Sequence, residues 1–94
     1  MKKLGCPLCE AKKKGKWYYE DDLIIIMECD HCHVPMAVTR RHTMIFMAEE
    51  YRRFITKLME VGNRVFGKGN FYFDRKQRRV KNHLHWHCRE GKAI

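Results

Sequence analysis

Three histidines alternate with bulkier neighbours late in the chain, as His83-Leu84-His85-Trp86-His87-Cys88. A neutral imidazole can bind a metal, carry a proton or, near pH 7, act as a nucleophile. A period of two predicts a β-strand over residues 83–88. Leu84, Trp86 and Cys88 then face the core. His83, His85 and His87 line the other face, each roughly 6.6 Å from the next along the strand. The outer two stand roughly 13 Å apart, so the three cannot share one ion. Either two neighbours such as His83 and His85 share a metal, or one binds metal while another does chemistry.

Cysteine supplies the second chemical signal. Four of the five cysteines form two C-x-x-C pairs, Cys6-Pro7-Leu8-Cys9 and Cys29-Asp30-His31-Cys32. In a reducing compartment this spacing points to metal or redox chemistry before structural disulfides. Two zinc schemes compete. One joins Cys6 and Cys9 to Cys29 and Cys32 as a four-cysteine site. The other joins Cys6 and Cys9 to His42 and one histidine of the terminal row. Cys29 and Cys32 could also form a clip of their own with His31 or His33, or a redox pair. Cys88 is expected in the core as a small hydrophobe.

These residues must be placed by a small set of elements. Gly5 and Pro7 predict a tight knuckle around the first pair. Residues 17–19 suit a short strand. Residues 23–28, rich in isoleucine, suit a strand buried on both faces. Residues 34–40 suit another strand, with Pro35 near its start or on an edge. With their short link, 23–28 and 34–40 read as a hairpin. Its tip carries Cys29 and Cys32, and its open end carries His42. A strand of seven residues spans roughly 23 Å, so the hairpin favours the two-cysteine, two-histidine scheme. A zinc-ribbon arrangement keeps the four-cysteine scheme open.

A helix is expected over residues 47–66. Met47, Tyr51, Phe54, Ile55, Leu58, Met59, Gly62 and Val65 form its apolar stripe. Glu49 and Glu50 suit its first turn and Gly67 its stop. Residues 70–74 read as a core strand, and 75–82 as a basic loop leading into the histidine row. The expected fold is a single α+β domain over 1–94, an antiparallel sheet with one long helix and an N-terminal zinc knuckle.

The chain carries 20 Lys+Arg against 11 Asp+Glu, a net charge of +9, which favours anionic partners such as nucleotides, phosphates or nucleic acid. No apolar run approaches the roughly 20 residues of a membrane span. The basic start has no apolar segment behind it, so no signal peptide and a cytoplasmic location are expected.

Taken in order, these features resemble the histidine triad (HIT) superfamily of nucleotide hydrolases and transferases. The family hallmark, His-x-His-x-His, is matched by His83, His85 and His87. An N-terminal C-x-x-C is matched by Cys6 and Cys9. A Tyr-Glu-Asp run before a strand is matched by Tyr19-Glu20-Asp21-Asp22. A basic pair and a histidine after the next strand are matched by Arg40-Arg41-His42. The resemblance implies a HIT-like fold with a structural zinc on Cys6, Cys9, His42 and His83. It implies His85 as the nucleophile toward an α-phosphate and His87 as the group that binds and polarises the phosphate. Asp30 takes the place of the family's ribose-binding acid. Where the family has a Gly-Gln-Ser-like loop, this chain has Lys76-Gln77-Arg78-Arg79-Val80-Lys81-Asn82, with Arg78 and Arg79 as candidate phosphate contacts. A homodimer is implied by analogy. The alternative is a non-enzymatic zinc module, ribbon-like, that binds nucleic acid through its basic surface.

Overall fold

The computed structural model describes residues 8, 16–29, 33–77 and 82–91. Five strands form one antiparallel sheet: β1 (Trp17–Glu20), β2 (Ile24–Glu28), β3 (Pro35–Thr39), β4 (Phe71–Asp74) and β5 (His85–Glu90). Their spatial order is β1-β2-β3-β5-β4. The single helix among the described residues, α1 (Ala48–Phe66), lies between β3 and β4 in sequence. It carries the chain past one strand position. The last strand, β5, fills that gap and pairs with β3 on one side and β4 on the other. Among the described residues no helix is long and apolar enough to cross a membrane.

The β2–β3 pair is the expected hairpin, with Ile24 opposite Thr39 and Glu28 opposite Pro35. At the β1–β2 turn the Asp21 carboxylate accepts the backbone N–H groups of Leu23 (2.7 Å) and Ile24 (2.9 Å) and the Tyr19 hydroxyl (2.7 Å). This is the turn chemistry for which aspartate is favoured. Arg53 of the helix pairs with both Asp21 and Asp22, tying helix to turn.

Alternation along β2 divides the core in two. Ile24 and Ile26 join Ala37, Phe54, Leu58, Val61, Trp86 and Cys88 between sheet and helix. Ile25 and Met27 join Cys29, Met36 and Val38 on the opposite face, where Leu8 and Trp17 pack against them. Both faces of the isoleucine strand are therefore buried, as its unbroken apolar run predicts.

Two expectations need correction. The helix does not bury the whole predicted stripe. Its buried line is Glu50, Phe54, Leu58, Val61 and Gly62, whereas Met47, Tyr51, Met59 and Val65 are exposed at 40–47%. A helix packed on one sheet face buries a narrower arc than its apolar residues cover. Residues 70–74 give the expected core-packed strand, β4, with Phe71 and Phe73 against the core; it lies at the sheet edge because β5 takes the inner position. The histidine strand begins at His85; His83 and Leu84 precede it.

Gly62 and Gly67 have distinct roles in seating the helix. A Cβ on Gly62 would meet Cys88 Sγ at 2.8 Å and the Phe71 ring at 2.9 Å, so the helix rests almost directly on β4 and β5. Gly67, at φ 92°, ends the helix in a conformation that costs other residues a Cβ clash, and its N–H bonds Asn63 O at 3.1 Å.

Glu50 is buried as a charge, and it is well supplied with donors. Arg41 Nε and Nη2 donate to its two oxygens at 2.7 Å each, and the Met47 N–H donates at 2.7 Å. The Arg41 hydrogen bonds hold its carboxyl below the usual glutamate range against the opposing effect of burial. Arg41→Ala strands this carboxylate. The variant should be less stable than wild type at pH 7, by an amount tempered by solvent because the Arg41 side chain is 40% exposed. The sign with pH follows from the lowered folded value. The pair's contribution is present above the unfolded pKa of about 4.3 and disappears as pH falls through the folded one. Urea unfolding at pH 7 and in mild acid should show the deficit of Arg41→Ala shrinking in acid; an unchanged deficit would refute this account.

Candidate functional site

The site grows from the end of the β3–β5 pairing. Beyond Thr39 the chain turns and stays close to β5. Thr39 N–H donates to Leu84 O (3.4 Å) and Leu84 N–H donates to Thr43 O (2.8 Å). These bonds bring residues 39–43 alongside His83 and Leu84. His42 and His83 meet there, with ring centroids 5.2 Å apart and planes nearly perpendicular at 83°.

His83 is fully buried. Its Nε2 lies 2.6 Å from Thr39 O. A carbonyl oxygen can only accept, so Nε2 carries the proton and Nδ1 holds the lone pair in the neutral ring. Burial lowers the His83 pKa, with the nearby His42 acting in the same direction, against the Thr39 hydrogen bond. The ring is thus neutral at pH 7, the form that can bind a metal.

The next histidine has the opposite tautomer. His85 Nδ1 lies 2.9 Å from His83 O, so Nδ1 carries the proton and Nε2 the lone pair. Gln77 frames this arrangement. Its Oε1 accepts the His85 backbone N–H at 3.1 Å, and its Nε2 donates to His83 O at 2.7 Å. Gln77 Nε2 is also 3.1 Å from His85 Nδ1. Two donors that converge on one carbonyl oxygen are necessarily near each other, so this third distance is a consequence of the other two. Gln77 was not singled out from the sequence. The signal available there was its position as the one uncharged side chain with both donor and acceptor between Arg75 and Val80.

His87 lies further along β5, opposite Met36 of β3 and Asp74 of β4. Its Nε2 is 3.3 Å from Cys29 Sγ, and its ring meets His85 edge-on at 5.7 Å between centroids. The expected split of the strand into core and histidine faces is only half right. Trp86 and Cys88 do face the helix. His85 and His87 lie on the other face but are buried too, at 4% and 7% exposure. Burial pushes the Cys88 thiol up to about 12, so it remains a thiol and packs as an apolar group.

The two zinc schemes lead to different places. Cys29 N–H bonds Val34 O at the tip end of the hairpin, while His42 and His83 gather at the Thr39 end. Five residues of strand, roughly 17 Å, separate them. One ion cannot bridge both ends. Cys6, Cys9, Asp30, Cys32, Arg78 and Arg79 lie outside the described residues. Among the described residues no three His, Cys, Asp or Glu side chains converge as a metal-binding group. No protein-family model, curated protein or solved structure matches the chain.

Proposed function

We propose that the chain is a HIT-like nucleotide hydrolase or nucleotidyl transferase in which His85 Nε2 attacks an α-phosphate. The observation that carries this reading is the 2.9 Å contact between His85 Nδ1 and His83 O, which sets the His85 tautomer. A nucleophilic imidazole needs its lone pair on the nitrogen away from the backbone, and the His83 carbonyl holds the proton on Nδ1. Attack forms an N–P bond and breaks the bond from phosphorus to the leaving group, which departs with a proton. Water then cleaves the N–P bond, releasing a nucleoside monophosphate and restoring His85. His87 would stand beside the phosphoryl oxygens, with Asp30, Arg78 and Arg79 as further substrate contacts.

The zinc knuckle belongs to the same proposal, with Cys6, Cys9, His42 and His83 as ligands. The two described ligands fit. Imidazoles sharing one tetrahedral zinc, at Zn–N of about 2.0–2.1 Å, place their ring centroids roughly 5 Å apart; here they are 5.2 Å apart. His83 also donates its other ring N–H to a carbonyl, the usual way a metal-ligating histidine is oriented. A closed site of this kind supplies rigidity to the His83 segment and thereby to the His85 main chain.

The test is to trap the adduct. Wild-type protein mixed with a nucleoside phosphoramidate and quenched in alkali should gain the mass of one nucleotidyl group, and His85→Ala should not. If no phosphoramidate or dinucleoside polyphosphate is turned over by wild type any more than by His85→Ala, the reading fails.

Gln77 offers a finer check. Gln77→Leu removes both clamps on the strand main chain. It should lower kcat by about tenfold and leave KM within a factor of about two, since it disturbs orientation rather than binding. A change in KM alone would place Gln77 in substrate binding.

The net charge of +9 favours a second reading, a zinc module that binds nucleic acid. Binding that falls steeply with salt and survives His85→Ala would support it.

A further inference from the structure

The histidine row of β5 runs on into an arginine. Trp86 and Cys88 face the helix, so His85, His87 and Arg89 share the other face, each roughly 6.6 Å from the next. On β4, Asp74 stands opposite His87 and Tyr72 opposite Arg89. Phe71 and Phe73 pack against the helix-side core, so Tyr72 and Asp74 lie on the histidine side. We infer that Arg89, aimed by Asp74, is a subsite for the phosphate chain of a leaving group, beyond the phosphorus that His85 attacks.

Arg89 Nε donates to Asp74 Oδ2 at 2.7 Å. Asp74 is buried, and its other oxygen accepts the Lys76 N–H at 3.2 Å. The Arg89 side chain is 25% exposed, so the acid lies inside and the cation toward solvent. Asp74 is thus a positioning residue. Anchoring through Nε fixes the guanidinium plane, and a fork already held in place loses little freedom when phosphate oxygens dock on it. A carboxylate this close weakens the attraction for an anion. What the site would recognise is therefore donor geometry rather than charge alone, which separates it from a generally basic surface. Because Asp74 stands opposite His87, the guanidinium lies between the levels of His87 and Arg89, roughly 7–13 Å beyond His85 along the strand. A single phosphate on His85 does not cover that distance, whereas a chain of phosphates does.

The leaving group decides how much this matters. When His85 Nε2 displaces a phosphate chain, the electron pair of the broken P–O bond moves to the bridging oxygen. The departing phosphate gains a negative charge, which Arg89 offsets. The amine of a phosphoramidate takes up a proton as its P–N bond breaks and gains no negative charge. Arg89 is therefore a selector for phosphate over amine leaving groups. Its part in turnover rests on His85 being the nucleophile; its affinity for a phosphate chain does not.

The binding probe is inorganic tripolyphosphate, titrated calorimetrically into folded wild type, Arg89→Gln, Asp74→Asn and Arg52→Gln. Arg52 lies on the helix and is 63% exposed, so Arg52→Gln makes the same change of charge on the other side of the sheet. Arg89→Gln should bind about tenfold more weakly than wild type, and Arg52→Gln within a factor of about two. Asp74→Asn should also bind more weakly, although it removes a negative charge. In steady-state assays Arg89→Gln should lower kcat/KM for a dinucleoside polyphosphate about tenfold more than for a nucleoside phosphoramidate. If wild type turns over neither substrate, the nucleophile reading fails, while loss of tripolyphosphate binding in Arg89→Gln still upholds the subsite. Tripolyphosphate binding that is absent from wild type, or equal in wild type and Arg89→Gln, overturns the subsite. Tighter binding in Asp74→Asn, or an equal loss in Arg52→Gln, does the same. An equal fall for both substrates overturns the selector role. If Arg89→Gln does not fold, Arg89→Lys decides. It keeps the charge without the fork and should weaken binding about threefold or more; unchanged binding there overturns the subsite.

Discussion

His85→Ala is expected to lower turnover of a nucleoside phosphoramidate by about 10³-fold or more, with no nucleotidyl adduct. Removing the attacking atom removes the covalent route, whereas the groups that bind substrate stay in place, so KM should move little. Stability should also change little beyond the lost packing. The His85 ring hydrogen-bonds to His83 O, and the backbone N–H that Gln77 holds is retained in the variant. Steady-state kinetics together with thermal unfolding separate the two effects. Loss of activity accompanied by unfolding at assay temperature would leave His85 a structural residue. A drop of less than about tenfold in a folded variant would move the nucleophile elsewhere.

The largest stability effect is expected at Trp86, the residue between the two buried histidines of β5. Its ring points away from them, toward the helix. Phe46 and Phe54 meet it edge-on at 5.6 Å, Tyr51 and Phe73 lie at 6.1 Å, and the Arg75 guanidinium covers it at 5.4 Å. Trp86→Ala opens a cavity among four aromatic rings and should cost about 3–5 kcal/mol. For a domain of this size each kcal/mol shifts Tm by roughly 4–8 °C, so a fall of more than about 12 °C is expected. Trp86→Phe keeps most of the packing and should cost much less. Calorimetry of the two variants checks this. A cost below about 1 kcal/mol for Trp86→Ala would mean that the ring cluster is not what joins helix to sheet.

Much of the architecture follows from local pattern. The isoleucine run could only be a strand buried on both faces, because no polar residue interrupts it. The hairpin follows from two such runs and a short link, and the helix from its acidic first turn, apolar period and terminal glycine. The order of strands was less accessible. Insertion of β5 between β3 and β4 is a long-range pairing, and periodicity carries no record of which strand lies beside which. The buried arc of the helix was misplaced for a related reason. Glu50 looks like a surface residue until Arg41, nine positions earlier, is seen to neutralise it inside.

The histidine row shows where the two kinds of information divide. Its alternation, its chemistry and its coincidence with two C-x-x-C pairs are properties of the chain and can be read from side-chain type and spacing alone. The partners are not. His83 turns to Thr39 and His42, His85 to the His83 carbonyl and Gln77, and His87 to Cys29. Each of these contacts except the His83–His85 one joins residues at least six positions apart. Tautomer and metal competence depend on which acceptor or donor lies within 3 Å or so of a given nitrogen. That is decided only when β3, β5 and the hairpin tip are packed together.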